Sequence, residues 1–206
     1  MELTYLGLSC IRLRGRDATV VVDPPSAALP GLAKATPDIV VRTDATTDAD
    51  KLRPREGHAQ EVSGPGEFEV RGVSIFGMPT GETTVMRVDL DEIRIVAAGR
   101  LQRQLTEDEI DALGHVDVLV VPVGGGDALS AGDATKLVSA IEPSIVVPAR
   151  YRVPGGAGAE YEPVDKFAKE MGLAEGAWQS QPKLSLSGPP GESDETKLVI
   201  LEPRGA

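Results

Sequence analysis

His58, His115 and Cys10 are the only imidazoles and the only thiol in a chain of 206 residues. Two imidazoles cannot furnish a histidine-rich catalytic metal centre. One cysteine can neither close an internal disulfide nor build a cysteine-caged zinc site. His58 follows the polar run Arg53-Pro54-Arg55-Glu56-Gly57 and His115 follows Gly114; both read as surface or helix-end residues. A nucleophilic thiolate needs a neighbouring base and a lowered pKa. Cys10 opens an apolar run and reads instead as a small buried residue. Among carboxylates, Asp44, Asp48 and Asp50 with Thr46 have the spacing that begins a calcium loop. Such a loop also needs Gly at its sixth position and Glu at its twelfth, where this chain has Ala49 and Arg55. The stretch therefore reads as a solvated loop with local side-chain to backbone bonds, with a weak hard-cation site as the alternative. Glu67 and Glu69, two apart on a strand, share one face and could pair for acid-base work or be structural. Gly124-Gly125-Gly126 could cradle a phosphate if a helix followed at once. It lacks the Lys and Ser/Thr of a P-loop and reads as a tight turn.

Composition narrows the functions further. The net charge of -11 disfavours nucleic acid and anionic membranes, whose phosphates require Lys and Arg. No apolar run nears the roughly 20 residues of a membrane span. Met1-Glu2-Leu3-Thr4 offers no basic segment before an apolar one, so no signal peptide is expected and the expected compartment is the cytoplasm. Asparagine is absent while Pro and charged residues abound, which points to a hot or GC-rich source and a thermostable protein. With 41% hydrophobic but only 3% aromatic residues, the core must be aliphatic.

These side chains must be positioned by short elements. Strands are predicted at 3–6, 10–14, 19–22, 38–41, 59–62, 68–70, 73–76, 84–88 and 93–97, with hairpin turns at Gly15–Asp17 and Asp89–Glu92. A polar loop is predicted over 42–50. A helix over 105–113 has a capping box in Thr106 and Glu109 and a stop at Gly114. The run 116–122 reads as a strand buried on both faces. Ala134, Leu137, Val138 and Ile141 fall on one helix face, as do Val164, Phe167, Ala168 and Met171. A strand at 144–148 separates those helices, and strands at 183–186 and 197–201 close the chain. Antiparallel strands first, then alternating strands and helices, predict an α+β, four-layer αββα sandwich forming one domain over residues 1–206.

Several segments, in order, resemble the small stand-alone metallo-β-lactamase-fold hydrolases, the ascorbate-lactonase-like group. Thr4-Tyr5-Leu6-Gly7-Leu8-Ser9-Cys10 is similar to their opening Gly-His-Ser-Cys strand, and "VVVDP" at 20–24 to their second strand. Pro37 to Val41 precedes the place of their His-x-His-x-Asp-His loop. Gly64-Pro65-Gly66-Glu67-Phe68-Glu69 is similar to their Gly-Pro-Gly-Glu-Tyr-Glu hairpin. "VLVVPVGGG" at 118–126 and Ile145 to Pro148 with Tyr151 are similar to two later strands. The resemblance spans nearly the whole chain and implies the metallo-β-lactamase fold.

The resemblance also implies a metal site, and this chain departs from it there. Thr43, Ala45, Thr47 and Asp48 stand where the loop would have His, His, Asp and His. The later histidine loop is reduced to Met78-Pro79-Thr80-Gly81. The bridging Asp is replaced in Gly99-Arg100, the final His by Arg150, and the opening His by Leu8. Alanine has no donor, neutral threonine binds zinc poorly, and arginine repels a cation. The resemblance thus implies a degenerate member, a pseudoenzyme without metal or other cofactor, in a structural, binding or regulatory role. Asp44 or Asp48 facing Arg100 and Arg150 would replace the metal's charge or leave a small anion-binding cleft. The alternative is a hydrolase of esters, lactones or phosphoesters with a rearranged site on Asp44, Asp48 and Asp50. An anion or protein partner, and a homo-oligomer, are compatible with either.

Overall fold

The computed structural model describes residues 1–26, 29, 31–46, 52–54, 57–154, 156–174, 178–191 and 195–204. The chain runs β1 (Glu2–Gly7), β2 (Cys10–Arg14), β3 (Thr19–Val22), β4 (Ile39–Arg42), β5 (Gln60–Ser63), β6 (Gly66–Val70), β7 (Val73–Pro79), β8 (Thr84–Leu90) and β9 (Ile93–Ala97). It continues with α1 (Glu107–Leu113), β10 (Val118–Pro122), α2 (Ala131–Ile141), β11 (Ile145–Ala149), α3 (Val164–Glu170), β12 (Ser180–Gln181), β13 (Leu184–Ser185), β14 (Lys197–Leu198) and β15 (Ile200–Leu201). A six-stranded sheet has the order β13-β1-β2-β3-β4-β5, and a seven-stranded sheet the order β14-β11-β10-β9-β8-β7-β6. Their inner faces share an aliphatic core that includes Leu3, Ile11, Val20 and Ile39 from the first sheet and Ile75, Val88, Ile95 and Val118 from the second. This is the sandwich expected of the metallo-β-lactamase fold.

Strand ends follow local chemistry. Thr106 accepts from the Glu109 amide at 3.3 Å and the Glu109 carboxylate accepts from the Thr106 amide at 2.8 Å, which closes the expected capping box. Gly114, in the left-handed region at φ 64°, ends α1. Strand β10 is buried throughout because β9 and β11 flank it in parallel and α2 packs on it. On α2 the buried positions are Ala131, Ala134, Leu137 and Val138, while Ile141 is half-buried.

Three expectations need correction. The opening strands are not all antiparallel: β3, β4 and β5 pair in parallel. The crossover from β3 to β4 contains, among its described residues, a single 3-10 turn at Leu32–Lys34 and no α-helix. Consequently Leu29, Leu32, Ala35 and Leu52 cover Leu6, Cys10, Val21 and Val40, so irregular chain does on this face what helices do on the other. Met78 and Pro79 belong to β7 rather than to a loop, since they pair with Val85 and Thr84. Among the described residues no helix is long and apolar enough to cross a membrane.

Candidate functional site

The carboxyl ends of β3, β4, β9, β10 and β11 open on the same end of the sandwich, the end at which open α/β sheets bind ligands. The chain leaves β3 through Asp23, at φ 49°, and β11 through Arg150, at φ 53°. Leu8, after β1, is at φ 55°. Its carbonyl accepts from the Arg150 amide at 2.8 Å and from the Tyr5 hydroxyl at 2.9 Å. Three non-glycine residues in the left-handed region thus converge on one cleft, a costly conformation that the surrounding packing must hold.

Asp23 is 4% exposed. Its carboxyl accepts from the Thr43 amide and from the Thr43 hydroxyl, each at 2.7 Å. Burial pushes this carboxyl up to about 7, against the lowering effect of the two Thr43 bonds. Thr43 in turn requires Gly99. A Cβ there would lie 2.2 Å from the Thr43 hydroxyl, and Gly99 has φ +57°.

Around this latch lies an ion-pair network. The Arg100 Nε donates to Asp44 Oδ2 at 2.8 Å, and Arg100 Nη1 to Asp127 Oδ2 at 3.4 Å. Arg150 approaches the same Asp127 from the other side, Nη2 to Oδ2 at 2.6 Å and Nε to Oδ1 at 3.3 Å. Arg150 also donates to the Tyr161 hydroxyl and lies over the Tyr161 ring, 5.0 Å from its centroid. Asp44 Oδ1 accepts from the amide and hydroxyl of Thr46, an Asx-type turn. Burial would raise the Asp44 carboxyl, but the bonds from Thr46 and Arg100 outweigh it and hold it below the usual carboxylate range. For Asp127 burial again opposes, and Arg150 leads the groups that keep it low. Two guanidiniums and two carboxylates make the cluster neutral. Beside it a cavity of about 220 Å³ is lined by Leu8, Ser9, Asp23, Asp44, Thr46 and Arg150, among others.

Of the residues singled out in the sequence, Thr43, Asp44, Arg100 and Arg150 come together here. Ala45 is exposed on the loop between Asp44 and Thr46. Thr47, Asp48 and Asp50 lie outside the described residues. Asp127 was missed. Its only sequence signal is a carboxylate after three glycines at the end of a buried strand. Asp23 lies in the 20–24 segment that resembles the family's second strand, with nothing in the residue types to mark it as buried. His115 bonds Asp117 at 3.2 Å, at the opposite end of β10 from Gly124. His58 is exposed and Cys10 wholly buried. Glu67 and Glu69 are exposed on β6, an edge strand. The glycine run is a turn: Ser130 caps the next helix, and a Cβ on Gly124 would meet the Arg150 carbonyl at 2.1 Å.

The described donors do not fit zinc. The carboxylates that could serve are engaged by guanidiniums or by Thr43, and the space above Gly99 is filled by a threonine side chain. Among the described residues no three His, Cys, Asp or Glu side chains are grouped to hold a metal ion.

The chain is similar to a Thermotoga maritima protein of the metallo-β-lactamase superfamily, provisionally assigned as a Zn-dependent hydrolase. The two superpose with a TM-score of 0.81 at 25% identity, covering 98% of each chain. It shares its fold with a metallo hydrolase, Igni18, of Ignicoccus hospitalis, with a TM-score of 0.57 and 20% identity over 74% of this chain and 84% of that one. A UPF0173 protein of Pyrococcus abyssi is 45% identical over 47 residues, 23% of this chain and only 22% of that relative's length. The family model described as beta-lactamase superfamily domain matches residues 2–150. With that match over most of its length, and with this sandwich, the chain belongs to the beta-lactamase superfamily and has the metallo-β-lactamase fold.

Proposed function

We propose that this protein is a metallo-β-lactamase-fold pseudoenzyme whose metal site has been replaced by ion pairs, and that it acts as a non-hydrolytic structural, binding or regulatory protein. The observation that carries this is the neutral network of Arg100, Asp44, Asp127 and Arg150 in the cleft where the strand ends converge. Thr43, Ala45, Thr47, Asp48, Arg100 and Arg150 are then vestigial metal-site positions, with Thr47 and Asp48 outside the described residues. A guanidinium at two of them opposes a cation by charge. The whole chain, 1–206, works as one domain in the cytoplasm, with a small anion or a protein as partner, and the fold is thermostable. Its acidic balance favours neither nucleic acid nor membrane as partner, and self-association is compatible with it.

The names of the relatives favour a second reading, a metal-dependent hydrolase of esters, lactones or phosphoesters. Asp44, Asp48 and Asp50 would then rearrange around an ion. A panel of ester, lactone and phosphodiester substrates, assayed with supplied zinc, manganese or iron, separates the two. The expected result is no turnover above the metal-containing blank. Metal-dependent turnover that disappears in Asp44→Asn would establish the hydrolase instead.

A further inference from the structure

The partners of Asp127 are held more firmly than Asp127 itself. Arg150 is fixed by the Tyr161 hydroxyl and ring, by Ser9 at 3.5 Å, and by a backbone clamped to the Leu8 carbonyl. Arg100 is anchored through its Nε by Asp44. Each arginine thus has an anchor besides Asp127. The side-on, two-point approach of Arg150 is the geometry a guanidinium uses toward any carboxylate.

The Asp127 side chain, in contrast, is 42% exposed. It is carried by a turn whose Gly125 and Gly126 have φ +69° and +70°, with open space around Gly125. Within the turn the Gly125 amide donates to the Leu129 carbonyl, and its ends are tied by the Glu162 amide to the Gly124 carbonyl and by the Leu129 amide to the Leu101 carbonyl, which leaves Asp127 at its tip. A cavity of about 220 Å³ lies against Arg150 and Asp44. A neutral cluster does not attract a further anion, so an incoming anion must exchange with one already there.

We propose that Arg100, Arg150 and Tyr161 form a binding site for a small carboxylate, with Asp127 as its internal occupant, displaced when the glycine turn swings outward. This rests on the metal-free reading of the cleft. It makes the site self-occluded: ligand affinity is reduced by the fraction of time that Asp127 occupies it.

The test is thermal unfolding with sodium formate or acetate against sodium chloride at matched ionic strength. Asp127→Ala vacates the place of the carboxylate; Asp127→Asn serves if the alanine variant does not fold. The vacated site should show a saturable rise in Tm with formate. The native protein should need about tenfold more or beyond, and the double variant Asp127→Ala/Arg150→Gln should respond as it does to chloride. An equal response in the single and double variants would overturn the proposal. In the native protein, acetate should speed amide exchange over residues 124–129, and unchanged exchange at saturating acetate would count as refutation too. Metal content measured on the same samples separates the two failures: bound metal sinks the metal-free reading, whereas metal-free protein without a formate response sinks only the carboxylate site.

Discussion

Replacing Asp23 by asparagine should flatten the pH dependence of stability between pH 5 and 8. The native carboxyl is raised from an ordinary 3.8 to about 7 because it is buried. A raised carboxyl pKa means that the folded state holds a proton which the unfolded chain releases. Its contribution to stability is therefore fully present below about pH 4 and is lost as pH rises through 7. Three pKa units at 1.36 kcal/mol each give a total of about 4 kcal/mol, of which about 2.5 kcal/mol falls between pH 5 and 8. Asparagine is the informative replacement. It tolerates the left-handed backbone that Asp23 adopts, and it can still accept from the Thr43 amide. Thr43 Oγ1 can turn to accept from the new amide. Urea unfolding at half-unit pH steps, native minus variant, isolates the term, since every other titrating group is common to both. The lowered carboxylates Asp44, Asp127 and Glu109 act below this window. A native protein that keeps the same stability from pH 5 to 8 relative to Asp23→Asn would show that the carboxyl is ionised in the fold, and the latch argument would fail.

The ion-pair network gives further expectations. Arg100→Ala leaves the Asp44 side chain, 4% exposed, with its guanidinium gone, at a cost of about 2 kcal/mol, between exposed and fully buried pairs. Arg150→Gly should be less damaging than Arg150→Ala by about 1 kcal/mol, because glycine relieves the positive φ that alanine retains; denaturant midpoints compare the three. Gly99→Ala should cost about 3 kcal/mol or more, since its Cβ meets Thr43 and its φ is positive, and a Tm within a degree of native would contradict the packing described. Cys10 is fully buried and its thiol is pushed well up by burial. A disulfide-exchange reagent should therefore leave the native protein unlabelled and label it fully in guanidinium.

Much of the fold was legible because its signals are local. Cys10–Arg14, Thr19–Val22 and Ile93–Ala97 are bounded as the sequence predicted, by glycine, proline and polar turns. The α1 capping box is a contact between residues three apart. Parallel pairing of β3, β4 and β5 leaves no such trace, because partners distant in sequence are chosen by the whole sheet. The short β12, whose Ser180 and Gln181 are exposed, carries no apolar alternation to reveal it. In the cleft, Arg100 and Arg150 stood out as cations where the family resemblance implies metal ligands. Asp44 lies against Arg100, but the acceptor for Arg150 is Asp127. Its place depends on two left-handed glycines that bend the chain after β10 back toward β11, a geometry that residue types alone do not specify.

Elemental analysis of the protein purified without chelator bears most directly on the account of the cleft, with Tm measured before and after EDTA. Ion pairs in place of a metal predict zinc, manganese and iron far below one equivalent per chain, and a Tm that EDTA leaves unchanged. Metal near a full equivalent, removed by EDTA with a fall in Tm, would contradict it.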